Sequence, residues 1–191
     1  MSSTDRKPLE TGLPWHIVEE AINGERKWLE RVIEQTSIDK VPGCDECGYT
    51  FRKIALLIIT GKIMAKEFIA RDGHDLWDDL TNKHSIKESA RHGGGWHKRM
   101  MGVITEYFER QGFEVILEPF LSQGRADLGI YKDGHTHLFI EIGTTSAYKL
   151  WWNLQILTNC QILLVPDEKR AIEFTCRSEQ QDIIGSGLKK E

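Results

Sequence analysis

No stretch of this sequence approaches the run of about 18 apolar residues that a membrane-spanning helix needs. Met1–Glu10 is polar and contains no apolar signal region. The expectation is therefore a soluble cytoplasmic or virion-associated protein with no membrane partner. Cysteine is scarce, and four in 191 residues do not make the disulfide scaffold of a small secreted domain. An excess of positive charge is also missing. Lys and Arg number 25 against 29 Asp and Glu, a net charge of −4, so no global field draws the chain to a polyanion. Internal repeats and low-complexity tracts are absent. What remains, at 40% hydrophobic and 28% charged, is the composition of an ordinary folded domain.

The chain divides into two patterns. In the first, Trp15 to about Gln35 has helical periodicity, with Ile17, Ala21, Trp28, Val32 and Leu29 on the expected buried side. Ser37–Gly48 interrupts it with Pro42, Gly43 and Gly48. A second apolar helix is expected from about Tyr49 to Arg71, through IALLIITGKIMAKEFIA. A polar connector then leads to Gly93-Gly94-Gly95. In the second pattern, Trp96–Gln111 reads as a helix stopped by Gly112. Strands are expected over Phe113–Leu117, Gly124–Tyr131 and Thr136–Ile142. A helix follows from Ser146 to about Thr158, then a strand over Gln161–Val165 halted by Pro166. The order α-β-β-β-α-β predicts a mixed sheet with helices packed on it.

Two acids stand out, Asp127 and Glu141. Strand alternation puts Asp127, Gly129 and Tyr131 on one face, with Ala126, Leu128 and Ile130 on the other. His137, Phe139 and Glu141 share a face of the next strand. The turn between the strands decides whether the carboxylates meet. A two-residue Asp133-Gly134 turn would send them to opposite sides. A three-residue Lys132-Asp133-Gly134 loop, with Gly134 left-handed, would pair Tyr131 with His135 and set Asp127 diagonal to Glu141 on one face. Diagonal neighbours lie roughly 7–8 Å apart, near enough for two carboxylates to share a cation. The three-residue loop is the expectation. Hard cations such as Mg²⁺ or Mn²⁺ take such oxygen ligands, with water and phosphate completing the sphere. The alternative is a surface hairpin with solvated acids.

Arg125-Ala126-Asp127, thirteen residues, then Glu141-Ile142-Gly143, with apolar strands and flanking helices, resembles the PD-(D/E)xK nuclease superfamily. The resemblance covers roughly Gly93–Pro166. It implies an α/β (α+β) restriction-endonuclease-like core of order α-β-β-β-α-β at residues 93–180, after a helical region at 1–92 carrying the C-x-x-C loop, and before a flexible tail at 181–191. It further implies a Mg²⁺- or Mn²⁺-dependent endonuclease acting on nucleic acid, on DNA more often than RNA, and in many members a homodimer. Asp127 and Glu141 match the family's two acids as metal ligands and catalytic residues. The family's Lys two positions after the Glu is Gly143 here. In the superfamily that Lys sometimes migrates to the next helix, which makes Lys149 the catalytic candidate, able to orient the attacking water. An ordinary exposed helix Lys is the alternative. Gln155 lies near the same helix face, where the family often has a polar residue.

The family also carries an acid on its first helix. Glu106 is nine positions from His97 and half a turn away, so it should face solvent, whereas His97 falls on the apolar face with Met100, Ile104, Tyr107 and Phe108. His97 is then a supporting site residue or a core histidine. Glu118, ending the first strand, is the candidate third carboxylate for the metal.

Cys44 and Cys47 form a C-x-x-C followed by Gly48, half of a zinc knuckle. A structural Zn²⁺ there would need further ligands from His74, His84, His92 or Cys160. A redox pair and plain free thiols are the alternatives. Lys83, Lys87, Arg91, Lys98 and Arg99, with Glu88 as the one acid among them, form either a solvated helix face or a phosphate-contacting surface. Trp151 and Trp152 are adjacent, so one helix face cannot bury both. One is expected in the core and the other near the surface, where it could stack on a base. Against the endonuclease stands a catalytically silent chain of the same fold that binds nucleic acid or serves assembly, a reading that Gly143 favours. A third reading places function in a zinc-stabilised N-terminal half.

Overall fold

Two neighbouring strands carry apolar side chains on both faces, β4 (His137–Ile142) and β5 (Cys160–Asp167), as expected of strands buried on both sides. They pair in parallel, with Ile140 beside Leu163, and are joined by the crossover helix α4 (Ala147–Ile156). The computed structural model describes residues 15–34, 45–71, 94–143 and 145–177. Within these, the other elements are α1 (Trp15–Glu34), α2 (Asp45–Ile59), β1 (Ile63–Ile69), α3 (Gly95–Arg110), β2 (Glu114–Leu117), β3 (Leu128–Tyr131) and β6 (Arg170–Cys176). The six strands form one mixed sheet in the order β1-β6-β5-β4-β3-β2, antiparallel everywhere except at β4–β5.

One face of the sheet packs under α1, α2 and α4, through Leu29, Phe51, Ile54, Leu150 and Leu154 against Phe139, Ile162, Leu164 and Phe174. The other face packs under α3, through Met100, Met101 and Ile104 against Leu128, Ile130, Ile140, Ile142 and Val165. The fold is thus a three-layer α+β arrangement. No helix among the described residues is long and apolar enough to cross a membrane.

Several expectations are corrected. The second helix does not run to Arg71. It ends at Ile59, Gly61 turns the chain with φ +73°, and residues 63–69 form β1 on the far edge, paired with β6. An apolar run of this kind fits a helix or a strand equally well by pattern, and the free edge of β6 decides it. Pro166 does not halt β5, which continues to Asp167 through a register shift between Leu164 and Asp167. That irregularity is the place in a sheet where a residue without an N–H is tolerated. Strand β6 was not anticipated. The buried stripe of α1 is Val18, Ile22 and Leu29; Leu29 is buried as expected, whereas Ile17 is 43% exposed and Ala21 is also exposed. The side chain of Val32 lies outside the described residues. On α3, Tyr107 lies outward at 40% exposure.

Cys160 and Cys176, far apart in sequence, stand directly opposite each other on β5 and β6. Both are buried free thiols, and their mutual hydrogen bond lowers the Cys160 thiol pKa and raises that of Cys176.

Burial sets the expected cost of truncation. Ile140 on central β4 is fully buried and Ile116 on edge strand β2 is 41% exposed. Ile140→Ala should lose about 2–5 kcal/mol in denaturant unfolding and Ile116→Ala under about 1 kcal/mol. Equal losses would contradict this layering.

Candidate active site

The β3–β4 hairpin sets the site. Its register is Leu128↔Ile140, Gly129↔Phe139 and Ile130↔Leu138, and five residues, Lys132–Thr136, lie between the strands. The amide of His135 donates to the carbonyl of Lys132, and Gly134 has φ +77°. The expected three-residue loop is therefore corrected to a longer one. The register differs by two residues, so side-chain parity within the ladder is kept, but the ladder ends at Leu128↔Ile140, short of Asp127, which is therefore not set diagonal to Glu141 by strand pairing as expected.

Asp127 lies at the end of the ladder, where alternation breaks. Ala126 packs with Phe139 in the α4 layer, whereas Leu128 packs under α3. Ala126 is thus not on the face of Leu128 and Ile130 as expected. The amide of Asp127 donates to Ile140 O at 3.0 Å, and its Oδ2 accepts from the Ile142 amide at 2.6 Å. The side chain replaces a backbone carbonyl in the ladder, which fixes the carboxylate at the C-terminal end of β4. The other oxygen, Oδ1, faces His97 Nε2 at 3.5 Å, while His97 Nδ1 lies 3.0 Å from Ile142 O. A carbonyl only accepts, so Nδ1 carries a proton and donates to it. Nε2 and Oδ1 then face each other as acceptors unless a proton or a cation lies between them.

Glu141 is buried at 6% exposure, and both its oxygens meet Lys149 Nζ, at 2.7 and 2.9 Å. Lys149 Nζ also donates to the carbonyl of Arg125. Two local features aim this lysine. Ser146 caps α4, its Oγ accepting from the Lys149 amide at 3.0 Å. Gly124, at φ +75°, lies under the lysine stem, and a Cβ there would stand 3.4 Å from Lys149 Cε. Burial pushes the Glu141 carboxyl up to about 7, against the pull of Lys149, with the Asp127 charge adding to the rise.

Gly143 has φ +80° and its amide donates to Val165 O at 2.7 Å, so the chain leaves the strand there in a conformation a lysine would resist. Glu118 also has positive φ, +50°, and pairs with Arg125 at 3.3 Å instead of joining the carboxylates. Gln155 is exposed near the end of α4. Glu106 pairs with Arg110 on the outer side of α3. Cys44, His74, His84, His92, Lys83, Lys87, Glu88, Arg91 and the segment 181–191 lie outside the described residues, and Cys47 falls in the first turn of α2.

Asn153 was not singled out in the sequence. It is 2% exposed and holds Gln123 by both backbone groups, accepting from its N–H at 2.8 Å and donating to its carbonyl at 3.0 Å. It pins the β2–β3 connection against α4. Its signal was available, a polar residue one turn beyond Lys149 on the buried side with Leu150 and Leu154.

Among the described residues, no group of three or more His, Cys, Asp and Glu side chains has metal-binding geometry. Two carboxylates at the end of β4, one held by the Ile142 amide and the other by Lys149, are the oxygen ligands a hard cation such as Mg²⁺ takes alongside waters, and they fit a four-ligand zinc site poorly. Comparison with protein-family models, with curated proteins and with solved structures gives no match.

The buried acid has a pH signature in metal-free protein. A folded-state value of about 7 lies above the ordinary 4.5, so the native chain holds more protons than the unfolded chain between those values. Stability should therefore fall as pH rises through that window, by up to about 3 kcal/mol. In chelator, Glu141→Gln should flatten the decline seen by denaturant unfolding between about pH 5 and about pH 8. Parallel wild-type and variant profiles would contradict this.

Proposed function

We propose that this protein is a Mg²⁺- or Mn²⁺-dependent nuclease that hydrolyses phosphodiester bonds in nucleic acid, with Asp127 and Glu141 holding the cation and Lys149 assisting the attack. The observation that carries the reading is the convergence of two carboxylates and one ammonium at the end of β4, from three separate segments. The fold adds support. The run α3-β2-β3-β4-α4-β5, with β2, β3 and β4 antiparallel and β5 parallel to β4, fits the restriction-endonuclease-like core that the sequence resemblance implies.

A divalent cation bound there would neutralise phosphate charge and acidify a water. The chain supplies the rest. The Ile142 amide holds Asp127 in one orientation, and His97 Nε2 faces the second oxygen at 3.5 Å. Lys149 keeps positive charge beside Glu141 and is placed to orient a water and offset charge that develops on the phosphoryl oxygens. Its place on α4 compensates for Gly143, whose left-handed backbone suits no lysine.

One observation favours the silent alternative, a nucleic-acid-binding or assembly module. Lys149 engages both oxygens of Glu141 and so competes with a cation for them. Cleavage assays separate the two readings. With Mn²⁺ or Mg²⁺, wild-type protein should cut at least one of plasmid, single-stranded DNA, branched DNA and RNA. Asp127→Asn and Glu141→Gln should abolish cutting while circular dichroism stays native, and Lys149→Ala should slow it about 10²- to 10³-fold. No cleavage by wild type with either metal, or full activity in Asp127→Asn, would overturn the nuclease reading.

A further inference from the structure

Aromatic side chains are exposed next to the carboxylate site, where packing does not require them. Phe120, in the β2–β3 connection, is 77% exposed with the Arg125 guanidinium 4.2 Å from its ring centre. Tyr148, on the first turn of α4, is 51% exposed. Its ring lies 5.7 Å from Trp151 and 6.0 Å from Trp152, both half-buried. The two groups are joined, because Trp152 Nε1 donates to Ser122 Oγ at 3.3 Å and Asn153 clamps Gln123. Lys53 Nζ lies 3.9 Å from the centre of the Trp151 ring.

Rings and cations therefore share one strip, with a cation at each end and the rings between them. It runs from Lys53 and Trp151, past Tyr148 and Trp152, to Phe120 and Arg125. The carbonyl of Arg125 is itself a partner of Lys149, so the strip ends at the candidate active site. Glu118 is an exposed acid along it, and Arg125 neutralises it at 3.3 Å.

We infer that this strip binds unpaired nucleobases, and that the substrate strand crosses the site as single-stranded nucleic acid. Exposed aromatic faces flanked by cations match a polyanion whose bases are free to stack. In a duplex the bases are already stacked on each other, so phosphates and groove edges are accessible but base faces are not. An acidic protein surface would pair with Lys53 but has no use for exposed rings. The inference deepens the nuclease reading by naming its substrate, and binding can be measured apart from cleavage.

The test is fluorescence anisotropy on the full chain in chelator. The probes are a labelled oligothymidine of about 20 nucleotides, the matching oligouridine, and the thymidine strand annealed to its complement. Wild type should bind one or both single strands more tightly than the duplex, and the two single-strand arms separate DNA from RNA. Phe120→Ala and Tyr148→Ala should each weaken that binding about tenfold. If either variant misfolds, Phe120→Leu or Tyr148→Leu keeps the bulk and removes the ring. The tryptophan emission, carried partly by Trp152, should be quenched on binding.

Unchanged single-strand affinity in the ring variants, or preference for the duplex, overturns the inference. So does self-association that depends on Phe120 and Tyr148 without oligonucleotide binding. Failures of the two readings differ. Duplex-specific cleavage by wild type would refute the strip and leave the nuclease standing. Ring-dependent single-strand binding with no cleavage under Mg²⁺ or Mn²⁺ would do the reverse.

Discussion

A carboxylate taken out of water on a central strand stays charged only with a cation beside it. Glu141 meets that condition through Lys149, and much of the local architecture follows from holding that pair. The Ser146 cap starts α4 where Lys149 falls on its first turn. Gly124 leaves room for the lysine stem, and Asn153 ties the Gly124 loop to the same helix. The carbonyl of Arg125 takes a further proton of the ammonium. With burial dominant, the pair leaves the Glu141 carboxyl near 7, poised between its two protonation states.

Asp127 is held by a different device. Its carboxylate stands in for a missing backbone acceptor at the end of the β3–β4 ladder, so its position depends on hairpin register. A slip of one residue would turn Glu141 into the α3 layer, where Ile140 and Ile142 pack. The apolar residues on both faces of β4 resist such a slip. Core packing and site geometry are therefore the same constraint, and His97, hydrogen-bonded to Ile142 O, ties α3 to it.

Part of this was legible in the sequence. Period-two and helical patterns located the elements from Gly95 to Asp167 to within a few residues, because those strands and helices bury strong, regular faces. The hairpin's parity was legible from side-chain alternation, but its register was not, since Lys132–Thr136 could close in more than one way. Residues 63–69 looked helical because the apolar run around Gly61 has no clear period, and only pairing with β6 settles it. Asn153 is absent from those patterns because its role is to hold a loop thirty residues away. The meeting of Cys160 with Cys176 is likewise set by strand pairing and not by spacing.

The central claim is that Asp127 and Glu141 form a divalent-cation site, and electron paramagnetic resonance of Mn²⁺ tests it without reference to any substrate. Titrated into metal-free protein above pH 7, Mn²⁺ should lose its free-ion six-line signal up to one equivalent. Asp127→Asn should leave the signal as in buffer, and Lys149→Met should bind at least as tightly as wild type because the resident ammonium no longer competes. A free-ion signal undiminished by wild-type protein, or Mn²⁺ binding equal in wild type and Asp127→Asn, would contradict the account.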